Sequence, residues 1–138
     1  MATILLIDDD QDDRDLFSFA LAKIDKQIQF LEAGGYLEAS MLLNYTEPLP
    51  DFIFLDLNMP RKNGKEAIVL IKNNQKLKHI PIIVYTTSRR EESVHEMTEL
   101  GAVLFITKPS REKDLEDIIK RVLEKEWETT GVGQHILV

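Results

Sequence analysis

Four short runs of continuous apolar residues constrain the fold of this chain more than any other feature of its sequence. They lie at residues 4–7, 52–55, 82–85 and 103–106, and a weaker run lies at 28–31. Strands that are apolar at every position need cover on both faces, which is the condition of a parallel sheet. Successive runs start 21 to 30 residues apart, at positions 4, 28, 52, 82 and 103. Each interval therefore leaves room for a crossover helix.

The intervals carry the residue spacing of helices. Side chains recur every three or four positions in stripes that are strong near the two ends of the chain and weaker between them. The stripes contain Leu16, Phe17, Ala20, Leu21 and Ile24; Leu37, Ser40, Met41 and Asn44; Ala67, Ile68 and Ile71; Val94, Met97 and Leu100; and Leu115, Ile118, Ile119, Val122 and Leu123. Alternating strands and helices predict an α/β domain, (βα)5, with a doubly wound parallel five-stranded sheet.

Length and composition limit the functions open to this domain. The chain has 138 residues, which is the size of one domain, and its formal net charge of −7 opposes sequence-independent nucleic-acid binding. It has no cysteine, and its longest apolar runs of four or five residues are too short to cross a membrane. We predict a cytoplasmic domain that binds neither nucleic acid nor membrane.

Polar side chains follow the apolar runs at the points where the strands should end. Asp8 and Asp9 follow the first run, Asp56 the third, Thr86 the fourth, and Lys108 lies two residues after the fifth. The carboxyl ends of parallel strands meet at one edge of a sheet, and ligands bind there where the strand order reverses. Because neighbouring strands lie about 4.7–4.9 Å apart, these groups are predicted to converge on one site.

The predicted cluster of three carboxylates implies a bound cation. Carboxylates this close repel one another unless a positive charge joins them. Oxygen donors without cysteine favour Mg²⁺ or Mn²⁺ over zinc, and Mg²⁺ commonly binds one or two carboxylates together with a phosphate. One aspartate is then left as a nucleophile, with Lys108 and Thr86 to balance phosphoryl oxygens. The pattern predicts phosphoryl transfer to Asp56.

Four segments in this order resemble the receiver domain of two-component response regulators. They are ILLIDDD at 4–10, LDLNMP at 55–60 with Gly64 following, IPIIVYT at 80–86, and Lys108-Pro109, and the resemblance extends from about residue 4 to 127. It implies the flavodoxin-like, CheY-like fold with strand order 2-1-3-4-5. It also places a receiver domain at residues 1–127 and a C-terminal tail or docking segment at 128–138.

The resemblance implies a role for each residue of the cluster. Asp56 would accept a phosphoryl group from a sensor histidine kinase or a phosphotransfer protein. Asp9 would bind Mg²⁺ directly and Asp8 through water, with Asp56 and the backbone carbonyl of Asn58 as further ligands. Lys108 would contact the phosphoryl oxygens, and its bond to Pro109 would be cis.

The resemblance also implies a switch. Thr86 would move toward the phosphoryl group, and Phe105, which stands where many receivers have tyrosine, would turn inward behind it. This movement would reshape the face made by the fourth helix, fifth strand and fifth helix, through which the chain would bind a downstream protein target or form a homodimer. Residues 84–88 and 127–129 further resemble the small stand-alone receivers that pair with phytochrome-type histidine kinases.

The leading hypothesis is therefore a single-domain response regulator whose catalysis is limited to its own phosphoryl transfer and dephosphorylation. One alternative is a Mg²⁺-dependent phosphatase with an aspartate nucleophile, although Asn58 stands where such enzymes usually carry a general acid. Another is a receiver scaffold that takes no phosphoryl group. A flavodoxin-like cofactor binder is disfavoured because the aspartates after the first strand would repel a phosphate.

The remaining acids near the first strand have a simpler interpretation. Asp10 is predicted to be the N-cap of the first helix, where its side chain can accept hydrogen bonds from backbone N–H groups. Asp12, Asp13 and Asp15 are predicted to be acids favoured by the helix dipole, with no part in the site.

Overall fold

The computed structural model describes residues 2–59, 64–87, 91–125 and 135–136, with the backbone alone at 91–93 and 135–136. Strands and helices alternate along the chain. They are β1 (Thr3–Ile7), α1 (Gln11–Ile24), β2 (Gln29–Ala33), α2 (Tyr36–Leu43), β3 (Phe52–Leu55), α3 (Gly64–Lys72), β4 (Ile82–Thr86), α4 (Glu91–Leu100), β5 (Leu104–Thr107), α5 (Glu112–Leu123) and β6 (His135–Ile136).

All strand pairs of the sheet are parallel, in the order β2-β1-β3-β4-β5-β6. The predicted order 2-1-3-4-5 of a five-stranded sheet is confirmed for the first five strands. The sixth strand pairs with β5 through His135 and Ile136, within the segment predicted to be a tail. The rest of that segment lies outside the described residues, and the domain boundary at 127 stays a prediction.

Two apolar layers cover the sheet, one on each face. Leu5, Ile53 and Val84 belong to the layer that includes α3 and α4, whereas neighbouring strand residues point to the opposite layer with α1 and α5. In that second layer the ring of Phe17 lies 5.0 Å from that of Phe54. Because strand side chains alternate between faces, burial of both sets requires the continuous apolar runs seen in the sequence.

Helix α1 begins directly after β1 because Asp10 caps it. The Asp10 side chain accepts hydrogen bonds from the backbone N–H groups of Asp12 and Asp13, which confirms the predicted cap. The predicted stripe of α1 is largely correct, with Phe17 buried, but Leu16 is exposed to 49%.

The predicted stripe of α2 is wrong. Leu37 and Met41 are exposed to 74% and 59%, whereas Ala39 and Leu43 are the residues of α2 that are buried. The helix is apolar on most sides, so periodicity does not distinguish the face that meets the sheet. The stripes of α3, α4 and α5 do lie against the sheet.

Within the described part of the chain, the length and hydropathy of the helices do not reach those of a membrane-spanning segment.

Candidate functional site

The site lies where the strand order reverses, at the carboxyl edge of the sheet. Strand β1 pairs with β2 on one side and β3 on the other, and Ile7 is in register with Leu55, so Asp8 and Asp56 follow neighbouring strands. On the other side of β3, the backbone N–H of Lys108 donates to the carbonyl of Thr86 over 2.7 Å. The parallel register therefore brings together the groups that the sequence placed after the strands.

Asp8, Asp9 and Asp56 form the predicted carboxylate cluster. One oxygen from each lies within 4.8 Å of the others. Asp8 and Asp56 are buried and Asp9 is exposed, so the cluster is open to solvent on the side of Asp9. Oxygen donors at this spacing fit Mg²⁺ or Mn²⁺, which prefer carboxylate and carbonyl ligands and retain some of their water.

The ammonium of Lys108 contacts carboxylates of the cluster on the side away from solvent. Its Nζ lies 2.8 Å from an oxygen of Asp8, 3.3 Å from Asp56 and 2.7 Å from Asp13. The ring of Tyr85 lies behind the ammonium, 5.5 Å from centroid to Nζ. The buried ammonium of Lys108 on one side of the cluster and the exposed carboxylate of Asp9 on the other match the arrangement required to receive a phosphoryl group.

Burial and charge act in opposite directions on these groups. Burial raises the pKa of Asp8 above its usual value, although hydrogen bonds from Lys108 and the Asp10 backbone oppose the shift. Burial by itself lowers the pKa of Lys108, but its hydrogen bonds to Asp13 and Asp8 and the charge of Asp56 outweigh burial and raise it. Lys108 is therefore a fixed positive charge at neutral pH.

Asn58 connects the acceptor aspartate to the predicted switch residue. Its backbone N–H donates to Asp56 over 3.1 Å, and its side-chain amide donates to the hydroxyl of Thr86 over 3.1 Å. The amide also lies 3.4 Å from the hydroxyl of Thr87. A carboxamide held in this way has no carboxyl proton to give, so it does not supply the general acid of an aspartate phosphatase.

The structure bears on two expectations about β5 and its end. The ring of Phe105 is buried here, in the same apolar layer as Met97, so this structure shows it in an inward position. The bond between Lys108 and Pro109 is not cis, and the cis bond in the described residues joins Glu47 and Pro48. The carboxylate contacts of Lys108 form with its following bond trans, so the cis expectation is wrong here.

Asp13 is the residue of the site that sequence reasoning missed. It was assigned to the helix dipole, yet its carboxylate makes the shortest of the three contacts with Lys108. The sequence holds one signal for it. Asp13 lies four residues before Phe17, on the same face of α1 as the buried stripe, and an acid on such a face requires a partner.

The fold and the site together define a receiver domain. The sequence pattern of the response regulator receiver domain matches residues 4–120, so the chain belongs to that family of two-component signalling proteins. Response regulator Rcp1 from Synechocystis sp. is 36% identical, with the alignment covering 90% of this chain and 87% of Rcp1.

Two solved structures resemble the whole domain. The Mn²⁺-bound form of response regulator Rcp1 has a TM-score of 0.77 at 31% identity and covers 96% of this chain and 99% of that one. The phosphorylated cyanobacterial phytochrome response regulator RcpA has a TM-score of 0.79 at 31% identity and covers 95% of this chain and 96% of that one. The resemblance to receivers is confirmed, and the likeness to RcpA agrees with the narrower resemblance to phytochrome response regulators.

Proposed function

We propose that this chain is a phosphorylation switch in which Asp56 accepts a phosphoryl group in a Mg²⁺-dependent reaction. The observation that carries the proposal is the shared contact of Lys108 with Asp8 and Asp56 at the open carboxylate cluster. One carboxylate serves as nucleophile, a neighbouring pair can hold the metal, and the ammonium lies where phosphoryl oxygens need a counter-charge. The Mn²⁺-bound Rcp1 and the phosphorylated RcpA support this assignment.

The proposed metal ligands are Asp9, Asp56 and the backbone carbonyl of Asn58, with Asp8 bound through water. Mg²⁺ would supply neutralisation of the phosphoryl oxygens and of the clustered carboxylates. In the transfer, a carboxylate oxygen of Asp56 forms a bond to phosphorus while the bond from phosphorus to the donor breaks, and the donor leaves with that electron pair. Lys108 and the hydroxyl of Thr86 would then contact the transferred oxygens.

The output of the switch would be protein binding. The hydroxyl of Thr86 now accepts a hydrogen bond from the amide of Asn58 over 3.1 Å, and a movement of Thr86 toward the phosphoryl group would alter this contact. Thr86 ends β4, directly before the segment that leads into α4, so its movement would alter the face of α4, β5 and α5. To shift the domain from mostly the inactive to mostly the active conformation, phosphorylation must stabilise the active one by about 5.5 kcal/mol more than the inactive one. The switch role of Phe105 stays part of this proposal.

The proposed partners are a sensor histidine kinase or phosphotransfer protein as donor and a downstream protein as target. The likeness to RcpA, a cyanobacterial phytochrome response regulator, over nearly its whole length favours a kinase of the phytochrome type. A homodimer through α4, β5 and α5 and a cytoplasmic location also remain proposals.

Intact-mass spectrometry after incubation with acetyl phosphate and Mg²⁺ tests the function. We expect a gain of one phosphoryl group that EDTA abolishes and that Asp56→Asn lacks, because an amide oxygen is a poor nucleophile. Asp12→Asn is the matched control, since Asp12 is an exposed aspartate of the first turn of α1. Labelling of Asp56→Asn to the extent of the wild type would refute Asp56 as the acceptor. Absence of labelling in the wild type, repeated with a phosphorylated histidine kinase, would leave the scaffold hypothesis.

A further inference from the structure

The ammonium of Lys108 has one more carboxylate partner than the proposed reaction uses. A protonated lysine has three N–H donors. Asp8, Asp13 and Asp56 lie within 3.3 Å of Nζ, so three carboxylates are available for the three donors. Asp8 and Asp56 belong to the cluster that could hold a cation, and Asp13 is not a member of it.

The contact between Asp13 and Lys108 is partly shielded from solvent. The side chain of Lys108 is exposed to 9% and that of Asp13 to 31%. An ion pair in such a position is screened less than a surface pair and holds its geometry more tightly. The contact therefore differs from that of two mobile surface charges that lie close together by chance.

The backbone of Asp13 is also fixed. Asp13 lies in the first turn of α1, where its N–H and that of Asp12 point to the capping carboxylate of Asp10. The carbonyl of Asp10 in turn accepts the N–H of Arg14 over 3.1 Å. A carboxylate carried by a capped helix can hold the lysine in one place, as a side chain on a loose loop cannot.

The three contacts differ in what a divalent cation would do to them. A cation beside Asp8 and Asp56 would neutralise part of the negative charge that attracts the Lys108 ammonium. It would also repel the ammonium directly, so both contacts would weaken. The contact of Lys108 with Asp13 is expected to survive this change because Asp13 lies outside the carboxylate cluster. The contact of Lys108 with Asp56 is the longest of the three, at 3.3 Å. The ammonium N–H that points to Asp56 is therefore the one best placed to donate to a phosphoryl oxygen instead.

We propose that Asp13 is a positioning residue for phosphoryl transfer, which holds the Lys108 ammonium beside Asp56 once a divalent cation has bound. This inference rests on the proposed function. Asp13 contacts neither the metal nor the phosphoryl group in this proposal and acts through Lys108 alone.

The test compares maximal phosphorylation rates by acetyl phosphate, each measured at saturating Mg²⁺ for the variant concerned. Loss of a positioning contact next to the reacting atoms is expected to lower the maximal rate of Asp13→Asn by about tenfold or more. Asp13→Glu keeps the carboxylate and is expected to recover part of the rate, which a merely structural role of the side chain would not produce. Asp12→Asn removes the same charge from the same helical turn and is expected to keep the wild-type rate. Asp13→Ser replaces the asparagine variant if circular dichroism shows that the latter is unfolded.

The outcomes separate this inference from the proposed function. If the wild type is phosphorylated and Asp13→Asn reacts as fast as Asp12→Asn, the role of Asp13 is refuted and the switch stands. If Asp13→Glu is as slow as Asp13→Asn, the carboxylate is not what matters and the role is refuted as well. If the wild type accepts no phosphoryl group from acetyl phosphate or a kinase, both proposals fail.

Discussion

At the scale of single residues, Asp8 shows how far the site departs from what stability alone would select. Its carboxylate is fully buried, where ionised groups are costly unless they are paired. Lys108 and the backbone N–H of Asp10 donate to it over 2.8 and 2.9 Å, while the charge of Asp56 repels it. Burial nevertheless prevails and raises the pKa of Asp8. A buried carboxyl group whose pKa is raised by burial beside a lysine and a second carboxylate is typical of a functional site.

We therefore expect Asp8→Asn to be more stable than the wild type at pH 7 in EDTA, because a neutral amide escapes the cost of burying a charge. A carboxyl group whose folded-state pKa is raised above its unfolded value of 3.8 takes up its proton first in the folded state. As the pH falls through the raised pKa, the wild type gains stability relative to the variant and the difference narrows. Urea unfolding from pH 7 down to about 4 measures this, with Asp12→Asn as the control. An Asp8→Asn variant less stable than the wild type at pH 7 would contradict the argument.

At the scale of elements, the start of α3 determines where the acceptor loop can lie. A Cβ atom added to Gly64 would lie 2.5 Å from a Leu57 methyl carbon, 2.9 Å from the Leu57 Cα and 3.1 Å from the carbonyl oxygen of Asp56. Two of these neighbours are backbone atoms, which cannot move aside as a flexible side chain can. The first residue of α3 therefore packs directly on the backbone that carries the acceptor.

Gly64→Ala is expected to damage stability and function together. The overpacking should lower the free energy of unfolding by about 1–3 kcal/mol and, by displacing Asp56 from Lys108, slow phosphorylation. Gly35→Ala is the matched control, because a Cβ added at Gly35 meets no atom within 4 Å. As an N-cap change, the control should cost about 0.5–1 kcal/mol and leave the phosphorylation rate intact. Equal rates and stabilities for the two variants would show that the close packing at Gly64 has no effect on the site.

At the scale of the whole molecule, a cluster of three carboxylates in a chain of net charge −7 fits a divalent-cation site that exists only in the folded state. In the folded chain, the sheet gathers Asp8, Asp9 and Asp56, which lie up to 48 residues apart in the sequence (56 − 8 = 48). The unfolded chain does not hold these groups together. A ligand that binds the folded state in preference to the unfolded state raises the free energy of unfolding.

Mg²⁺ at 100 times its Kd is accordingly expected to raise the free energy of unfolding by about 2.7 kcal/mol. Asp9→Asn should lose much of this gain, because it removes the exposed ligand of the cluster while the buried ion pairs remain. Urea unfolding with and without Mg²⁺ measures the effect, with KCl at equal ionic strength as the control for screening. A gain that KCl reproduces would show that the stabilisation is charge screening and not binding at this cluster.

The local sequence pattern determined the strands of this protein and the residues that follow them. Continuous apolar runs specify strands buried on both faces, and the charged or hydroxyl residues after them specify Asp8, Asp9, Asp56, Thr86 and Lys108 as site residues, because parallel strands end at one edge. Tertiary structure decided the rest. It placed Ala39 and Leu43 of α2 inward where an all-round apolar helix offers several faces, and it joined Lys108 to Asp13 across 95 positions of sequence. Such choices depend on which surfaces remain unoccupied once the sheet has formed. Residue spacing along one segment can place Asp13 on an inward face, but it does not identify the partner that Asp13 meets there.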